Sequence, residues 1–318
     1  MRQDGLPQFR ASQYKDIDNL PIAKYCFRLI ATGEIILPRY KGSALHGGFG
    51  HALKAIAPAW YQYFFEPRPA TDANGMPHED ALPKPFVLLP PLDENTTYLP
   101  GEPFECELTL FGEAAQHISI CHAALDYLGT RLGFGSNRGH FRIEEVGLAR
   151  PSLDETGDVP RSPGALPTAG EIAAALAGLC DSEVTLVFPT RLRLKANNRL
   201  SSDPPPFDLF IRRLLGRLNT LSVFYGGGEW IDWGERSALV REAEKVSIQS
   251  SDLAWREWER YSGRQGEWMK FGGLAGSITY HGELKAFLPY LAVGEWTHVG
   301  GKTSFGLGKY VMLRGDGQ

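Results

Sequence analysis

Polar and apolar positions alternate from Lys24 to Thr32, the period of a half-buried strand. The spacing then changes. Between Gly42 and Ala57, Leu45, Phe49, Leu53 and Ile56 fall near helical intervals, and Pro58 is expected to stop the helix. Trp60 to Glu79 is rich in aromatics and prolines and reads as irregular. Phe86 to Leu89 and Glu102 to Phe111 read as two strands. Their connection holds Asn95-Thr96-Thr97 and Pro100-Gly101. Glu113 to Leu132 is a predicted helix with Ile118, Cys121, Leu125 and Leu128 on one face, and Gly139 to Leu148 is a strand.

Pro151 to Gly170 is a linker by its Pro, Gly, Ser and Asp content, and Glu171 to Leu179 is a short Ala-rich helix. The pattern then repeats. Glu183 to Leu194 is a strand and Asp208 to Tyr225 a helix. Lys245 to Glu259 and Gly266 to Tyr280 form a strand pair, Glu283 to Leu291 is a helix, and Lys309 to Leu313 closes the sheet. Each half reads β-α-β-β-α-β. The expected fold class is α+β, two tandem ferredoxin-like (RRM-like) domains. The expected divisions are 1–150, a linker with a short helix at 151–180, and 181–318.

With 318 residues and 43% apolar content, the chain can bury one large core or two ordinary ones. No apolar run reaches about 18 residues, so no transmembrane helix is expected. Met1-Arg2-Gln3-Asp4-Gly5 lacks a signal-peptide pattern. Cys26, Cys106, Cys121 and Cys180 form no Cys-x-x-Cys pair, which fits reduced thiols and a cytoplasmic location. A net charge of −4 argues against a general polyanion binder. Locally the balance reverses. Arg191, Arg193, Lys195, Arg199, Arg212, Arg213 and Arg217 face only Asp203 and Asp208 in that stretch. A basic face on an acidic protein suits one specific RNA, and a solvated charged surface is the plainer alternative.

The run from Gly294 to Tyr310, Gly-Glu-Trp-Thr-His-Val-Gly-Gly-Lys-Thr-Ser-Phe-Gly-Leu-Gly-Lys-Tyr, carries five glycines. Lys302 adds charge; Thr303 and Ser304 add hydroxyls. Glycine allows close backbone approach, so such a loop suits a phosphate-rich ligand. It lacks P-loop spacing. A strand from Gly272 to Tyr280 and a helix from Leu284 to Leu291 precede it, and a strand from Gly308 to Leu313 follows. This order resembles the signature of the RAMP superfamily of CRISPR proteins. More narrowly, the chain resembles the stand-alone CRISPR precursor-RNA-processing endoribonuclease, the Cas-six family. The blocks Lys41 to Lys54, Pro189 to Lys195, Gly272 to Ser277, Tyr225-Gly226-Gly227 and Trp258 to Gln265 carry the narrower likeness.

The resemblance implies an enzyme that cuts CRISPR repeat RNA to guide RNAs without metal or cofactor. Its products would be a 2′,3′-cyclic phosphate and a 5′-hydroxyl. The implied partners are precursor CRISPR RNA and a CRISPR effector complex, with no membrane. The alternative within the superfamily is a non-catalytic guide-RNA-binding subunit. A metal-dependent nuclease would need a carboxylate cluster, and none has convincing spacing.

Such cleavage needs a base, an acid and cations around the phosphate, and histidine titrates in the useful range. His46 and His51 lie on the same predicted helix, five residues and roughly 140° of net rotation apart. One of the two is therefore expected to face the substrate. His46 is the first candidate, because it stands in the first turn beside Gly47 and Gly48, and helix N-termini favour anions. His51 is the second. The family places a catalytic histidine on or just after this helix. Tyr40, Lys41 and Lys54 are supporting candidates, although Lys54 stands roughly 80° and 12 Å from His46.

The RNA-binding candidates are Arg191, Arg193, Lys195, Arg256, Arg260, His298, Gly300, Gly301, Lys302, Thr303, Ser304, Gly306 and Gly308. His298 fits a loop-locking hydrogen bond as well as it fits RNA contact. Trp255, Trp258, Tyr261 and Trp268 alternate with Arg256, Arg260 and Arg264 on a predicted hairpin, a pattern that can stack bases or fill a core. Cys106, His117, Cys121 and His122 match no standard zinc spacing, and apolar burial is expected for the cysteines.

Overall fold

The computed structural model describes residues 20–67, 82–150, 166–174, 182–196, 199–228, 231–257, 259–262 and 267–313, with backbone alone at 259–262 and 267–270. The chain divides into two compact units, Met1–Ala149 with Val223–Gly228, and Arg150–Ser222 with Glu229–Gln318. Most of the predicted linker lies outside the described residues.

The first unit runs β1 (Ile22–Ala31), β2 (Ile35–Ile36), α1 (Gly42–Ile56), α2 (Pro58–Phe65), β3 (Phe86–Leu89), β4 (Thr97–Tyr98), β5 (Pro103–Phe111), α3 (Ile118–Tyr127) and β6 (Phe141–Leu148). Its antiparallel sheet has the order β3-β5-β1-β6. β2 and β4 form a separate short ribbon. Alternation along β1 buries Tyr25, Phe27 and Leu29 and exposes Cys26 and Arg28. α1 buries Leu45, His46, Phe49, Ala52 and Leu53.

Two predictions here need correction. Pro58 ends α1 but also opens α2, taking the first-turn position where its missing N–H is harmless. The stretch expected to be irregular therefore begins as a helix, and residues 68–79 lie outside the described residues. The predicted helix from Glu113 to Leu132 is broken into a 3-10 turn (Gly112–Gln116), α3, and a π-helical turn (Leu128–Leu132). Gly129, in that last turn, lies so close to Phe141 that a Cβ would strike its carbonyl and ring.

The second unit runs α4 (Ala169–Ala174), β7 (Glu183–Leu192), β8 (Lys195–Ala196), β9 (Arg199–Leu200), α5 (Phe207–Tyr225, up to Ser222), α6 (Trp233–Ala243), β10 (Ser247–Ser251), β11 (Ala254–Arg256), β12 (Glu259–Ser262), β13 (Glu267–Lys270), β14 (Gly273–His281), α7 (Leu288–Thr297) and β15 (Val311–Leu313). Its sheet order is β10-β14-β7-β15, with β11 also on β14. The first and third long strands are central, as in the first unit. Phe188, Phe207, Phe210, Tyr280, Phe287 and Tyr310 fill the core. The hydroxyls of Tyr280 and Tyr310 stay satisfied by donating to the Pro205 and Leu291 carbonyls at 2.8 and 2.6 Å.

The predicted strand pair splits, because β10 and β11 pair with β14 while β12 and β13 form their own ribbon. α7 continues to Thr297, past the expected end at Leu291. α6 had no predicted counterpart. Its start is nonetheless encoded: the Asp232 carboxylate accepts the Glu235 N–H at 2.9 Å, an Asp-x-x-Glu cap.

Candidate active site and nucleic-acid interface

In the first unit a cleft of about 440 Å³ opens beside α1. Ser43, Gly47 and His51 line it at four-residue steps, so they share one stripe of the helix. Leu128, Leu132 and residues of a glycine-rich turn, 133–138, also line it. A Cβ on Gly47 would meet nothing within 4 Å, so the helix backbone is open to a ligand there.

His46 lies elsewhere. It is 7% exposed, with its ring edge-on to Phe65 at 4.9 Å and stacked on Phe86 at 5.9 Å. The open space expected around it belongs to Gly47 and His51. The rotation between the two histidines explains the outcome. His46 shares a stripe with Phe49 and Leu53, and that stripe faces the core.

The supporting candidates also separate. The Lys41 side chain is fully buried. Its Nζ donates to the Asp93 carbonyl at 2.7 Å and lies 3.3 Å from Asp93 Oδ1. Tyr98 donates its hydroxyl to the same carboxylate at 2.8 Å. Burial and this bond push the Tyr98 phenol well above its usual range. Lys41 thus clamps the start of α1. Tyr40 is buried, and Lys54 is exposed with its Nζ 5.5 Å from the Tyr61 ring centre. None of the three lines the cleft.

Cys106 and Cys121 are buried, and desolvation pushes both thiols up. His117 packs on Trp60 at 4.3 Å, and burial lowers its pKa. Among the described residues no group of three His, Cys, Asp or Glu could hold a metal ion.

In the second unit the glycine-rich loop lies on the end of β7. Gly308 N–H donates to the Arg191 carbonyl at 3.0 Å and Gly301 N–H to the Arg193 carbonyl at 2.9 Å. Gly300, Gly306 and Gly308 have φ of 86°, 82° and 71°. A Cβ on Gly308 would strike the Val299 carbonyl, whereas one on Gly301 would have 3.7 Å to its nearest neighbour. His298 is 1% exposed, and its Nδ1 lies 3.2 Å from the Leu307 carbonyl, so it ties the loop. Thr303 is buried and Ser304 half-buried. Lys302 is exposed at φ 65°, with its Nζ 5.8 Å from the Phe271 ring centre. The Arg193 guanidinium lies 5.9 Å from the same centre and donates to the Gly272 carbonyl. Phe271 is 1% exposed, so it supports these cations and offers no face to a base.

Much of the basic run serves the fold. Arg217 Nε donates to the Thr297 and His298 carbonyls, both at 2.9 Å, at the negative end of α7. Arg213 holds the Lys195 carbonyl, and Arg212 pairs with Asp208 at 3.4 Å. Arg191 donates to the Arg256 carbonyl at 3.3 Å. Lys195, Arg199 and Arg256 are exposed. Trp255, also exposed, donates its indole N–H to Glu257 at 3.1 Å. Trp258 and Arg264 lie outside the described residues; for Arg260, Tyr261 and Trp268 only the strand register is described.

Sequence reasoning missed the turn at 133–138. Gly133, Gly135 and Gly139 flank Arg138 there just before β6, as the C-terminal glycines flank Lys302 before β15. That parallel was the available signal.

A family model described as an N-terminal domain matches residues 20–162, and the model of the CRISPR-associated endoribonuclease Cas6 matches residues 184–310. Among solved structures, a partial Cas6-RT-Cas1–Cas2 complex matches with TM-score 0.63 at 16% identity, over 95% of this chain and 47% of that one. This chain therefore spans about half the length of that protein. Thermus thermophilus Cas6 matches with TM-score 0.57 at 19% identity, over 92% of this chain and 99% of that one. A Cas6 product complex gives 0.58, 19%, 92% and 100% for the same quantities. Residues 184–310 thus match the Cas6 model, and the solved Cas6 structures share the fold of the whole chain. At such identities the solved Cas6 structures speak for the fold. No curated protein sequence matches. Among the described residues no helix is long and apolar enough to cross a membrane.

Proposed function

We propose that this chain is a Cas6-family enzyme, a metal-independent endoribonuclease that cuts precursor CRISPR RNA within its repeats. The observation that carries the reading is His51, exposed on the open stripe of α1 and lining the cleft. We assign it, in place of His46, as the proton-transferring group. In the proposed step the ribose 2′-oxygen attacks the adjacent phosphorus and loses its proton to a base. The bond from phosphorus to the 5′-oxygen breaks, and that oxygen takes a proton from an acid. The products are a 2′,3′-cyclic phosphate and a 5′-hydroxyl, and no water is consumed. His51 acts as base or acid in this exchange.

The fold proposed with this function is two tandem ferredoxin-like domains, supported by the same strand order in both sheets. The glycine-rich loop and the exposed cations Lys195, Arg256 and Lys302 would hold the RNA backbone. A Cas6 product complex and a Cas6-RT-Cas1–Cas2 complex share the fold, so repeat RNA and a larger CRISPR complex are the proposed partners. A cytoplasmic location goes with that role.

The test uses repeat RNA at saturating enzyme. Cleavage should persist in excess EDTA and stop when a 2′-deoxy nucleotide stands 5′ of the cut. Activity lost in EDTA and restored by magnesium would favour a metal-dependent nuclease. Cutting of the deoxy substrate would exclude the 2′-oxygen as nucleophile.

A further inference from the structure

We infer that Arg138 holds the RNA phosphate next to His51, and that the turn carrying it is built to present that one cation. This rests on the endonuclease reading and adds a residue to its site. The turn is unusually well fixed. Phe134 N–H donates to the Gly139 carbonyl at 2.7 Å and Arg138 N–H to the Gly135 carbonyl at 3.3 Å. Asn137 grips the neighbouring backbone from both sides. Its amide donates to the Glu34 carbonyl at 2.9 Å, and its oxygen accepts the Ile36 N–H at 3.0 Å. Ser136 N–H donates to the Ile36 carbonyl at 2.9 Å. Gly135 and Gly139 press so closely on the Ile36 and Glu34 carbonyls that neither could carry a side chain. Position 138 is thereby fixed by its surroundings.

The residue at that position does not suit its backbone. Arg138 has φ 52°, the left-handed region where glycine or asparagine is expected. Strain held in place by a rigid frame is a reason to look for function. The side chain supplies one. Arg138 lines the cleft that His51 also lines. Arg28, Arg39 and Arg142 in the same unit each meet a glutamate at 2.9, 2.5 and 3.4 Å. Arg138 makes no such pair among the described residues, and its side chain is exposed. An exposed guanidinium on a fixed backbone, beside a histidine and an open helix face, is a phosphate-binding arrangement. It would neutralise the charge that builds on the non-bridging oxygens as the 2′-oxygen attacks.

The chosen variant is Arg138→Gly, because glycine accepts the backbone angle and removes only the cation. Its thermal unfolding midpoint should equal or exceed that of the parent. Its single-turnover rate on repeat RNA should fall by about 10²–10³-fold, the loss typical of one oxyanion-stabilising donor. Arg138→Lys should recover part of that rate. Binding of 2′-deoxy-blocked repeat RNA should show a shallower salt dependence, by about one unit of slope. A purely structural Arg138 would give the opposite pattern, a lowered midpoint with rate and slope intact in the folded fraction. If His51→Ala is inactive while Arg138→Gly keeps both the rate and the slope, the inference fails and the endonuclease reading stands. If the parent binds repeat RNA without cutting it, the endonuclease reading fails, and an unchanged salt slope in Arg138→Gly overturns the inference as well.

Discussion

Two glycine-rich turns, one in each unit, use the same device for different ends. Each precedes the last strand of its sheet, β6 or β15. Each holds a cationic residue at a left-handed φ, 52° at Arg138 and 65° at Lys302. The surroundings differ. The C-terminal loop lies on β7, and its Lys302 rests beside the buried Phe271 ring. The turn at 133–138 is pinned to β2 and faces a cleft that also holds His51. On the proposed reading, the cation over a buried ring grips the RNA backbone. On the same reading, the cation that shares a cleft with His51 takes part in the chemistry. The difference lies in what stands opposite the loop, and glycine content alone does not reveal it.

The largest expected effect tests that division directly. His51→Ala should lower the single-turnover rate by about 10²–10⁴-fold with repeat-RNA affinity nearly unchanged. Lys302→Ala should leave the same rate, at saturating enzyme, within about threefold of the parent, since a phosphate contact that only positions the RNA contributes equally to ground and transition states. A collapsed rate in Lys302→Ala would place the C-terminal loop in the chemistry and erase the contrast.

His46 gives the next effect, and it falls on stability. Removing a ring packed against Phe65 and Phe86 leaves a core cavity. His46→Ala should therefore cost about 2–4 kcal/mol, read by denaturant unfolding. The folded fraction should still cut. A stable but inactive His46→Ala would return the proton-transfer role to that residue.

These contrasts show what the sequence carried. The main strands and helices of both halves were legible in outline, because period-2 and period-3.6 stretches are punctuated by turn residues, whereas α6, the separate β12–β13 ribbon and the break in the helix from Glu113 to Leu132 were not. The opposite faces of His46 and His51 were legible from their rotation. Their assignment to core and cleft was within reach too, since His46 lies three residues before Phe49 and seven before Leu53. Proximity to Gly47 and Gly48 pulled the choice the wrong way. Lys41 could not be read as a buried clamp, because its partner Asp93 is 52 residues away. The role of Arg138 depends on β2 carbonyls that local sequence does not announce.

Glycine positions within the C-terminal loop come next in size. Gly308→Ala should destabilise by about 1–3 kcal/mol, because φ is 71° and a Cβ would meet the Val299 carbonyl. Gly301→Ala should stay within about 0.5 kcal/mol, since its Cβ makes only ordinary contacts, 3.7 Å from the Arg193 carbonyl, and the residue is exposed. Paired thermal melts check this. Equal losses at both positions would mean that the loop backbone adapts as a whole.

That contrast makes Gly301 the cleaner probe of RNA contact and yields the smallest effect. A large side chain there, as in Gly301→Leu, would stand between the loop backbone and an approaching phosphate. Lys302→Ala instead removes charge without adding bulk. Both should weaken repeat-RNA binding by roughly 3–10-fold at moderate salt, for different reasons. Losing the Lys302 charge should make the salt dependence shallower by about one unit of slope at most. Gly301→Leu removes no charge, so its binding curve should shift with the slope preserved. Equilibrium binding at several salt concentrations separates the two. If Gly301→Leu binds as the parent does, RNA does not approach the loop backbone there, and the loop is a structural turn whose one exposed cation acts alone.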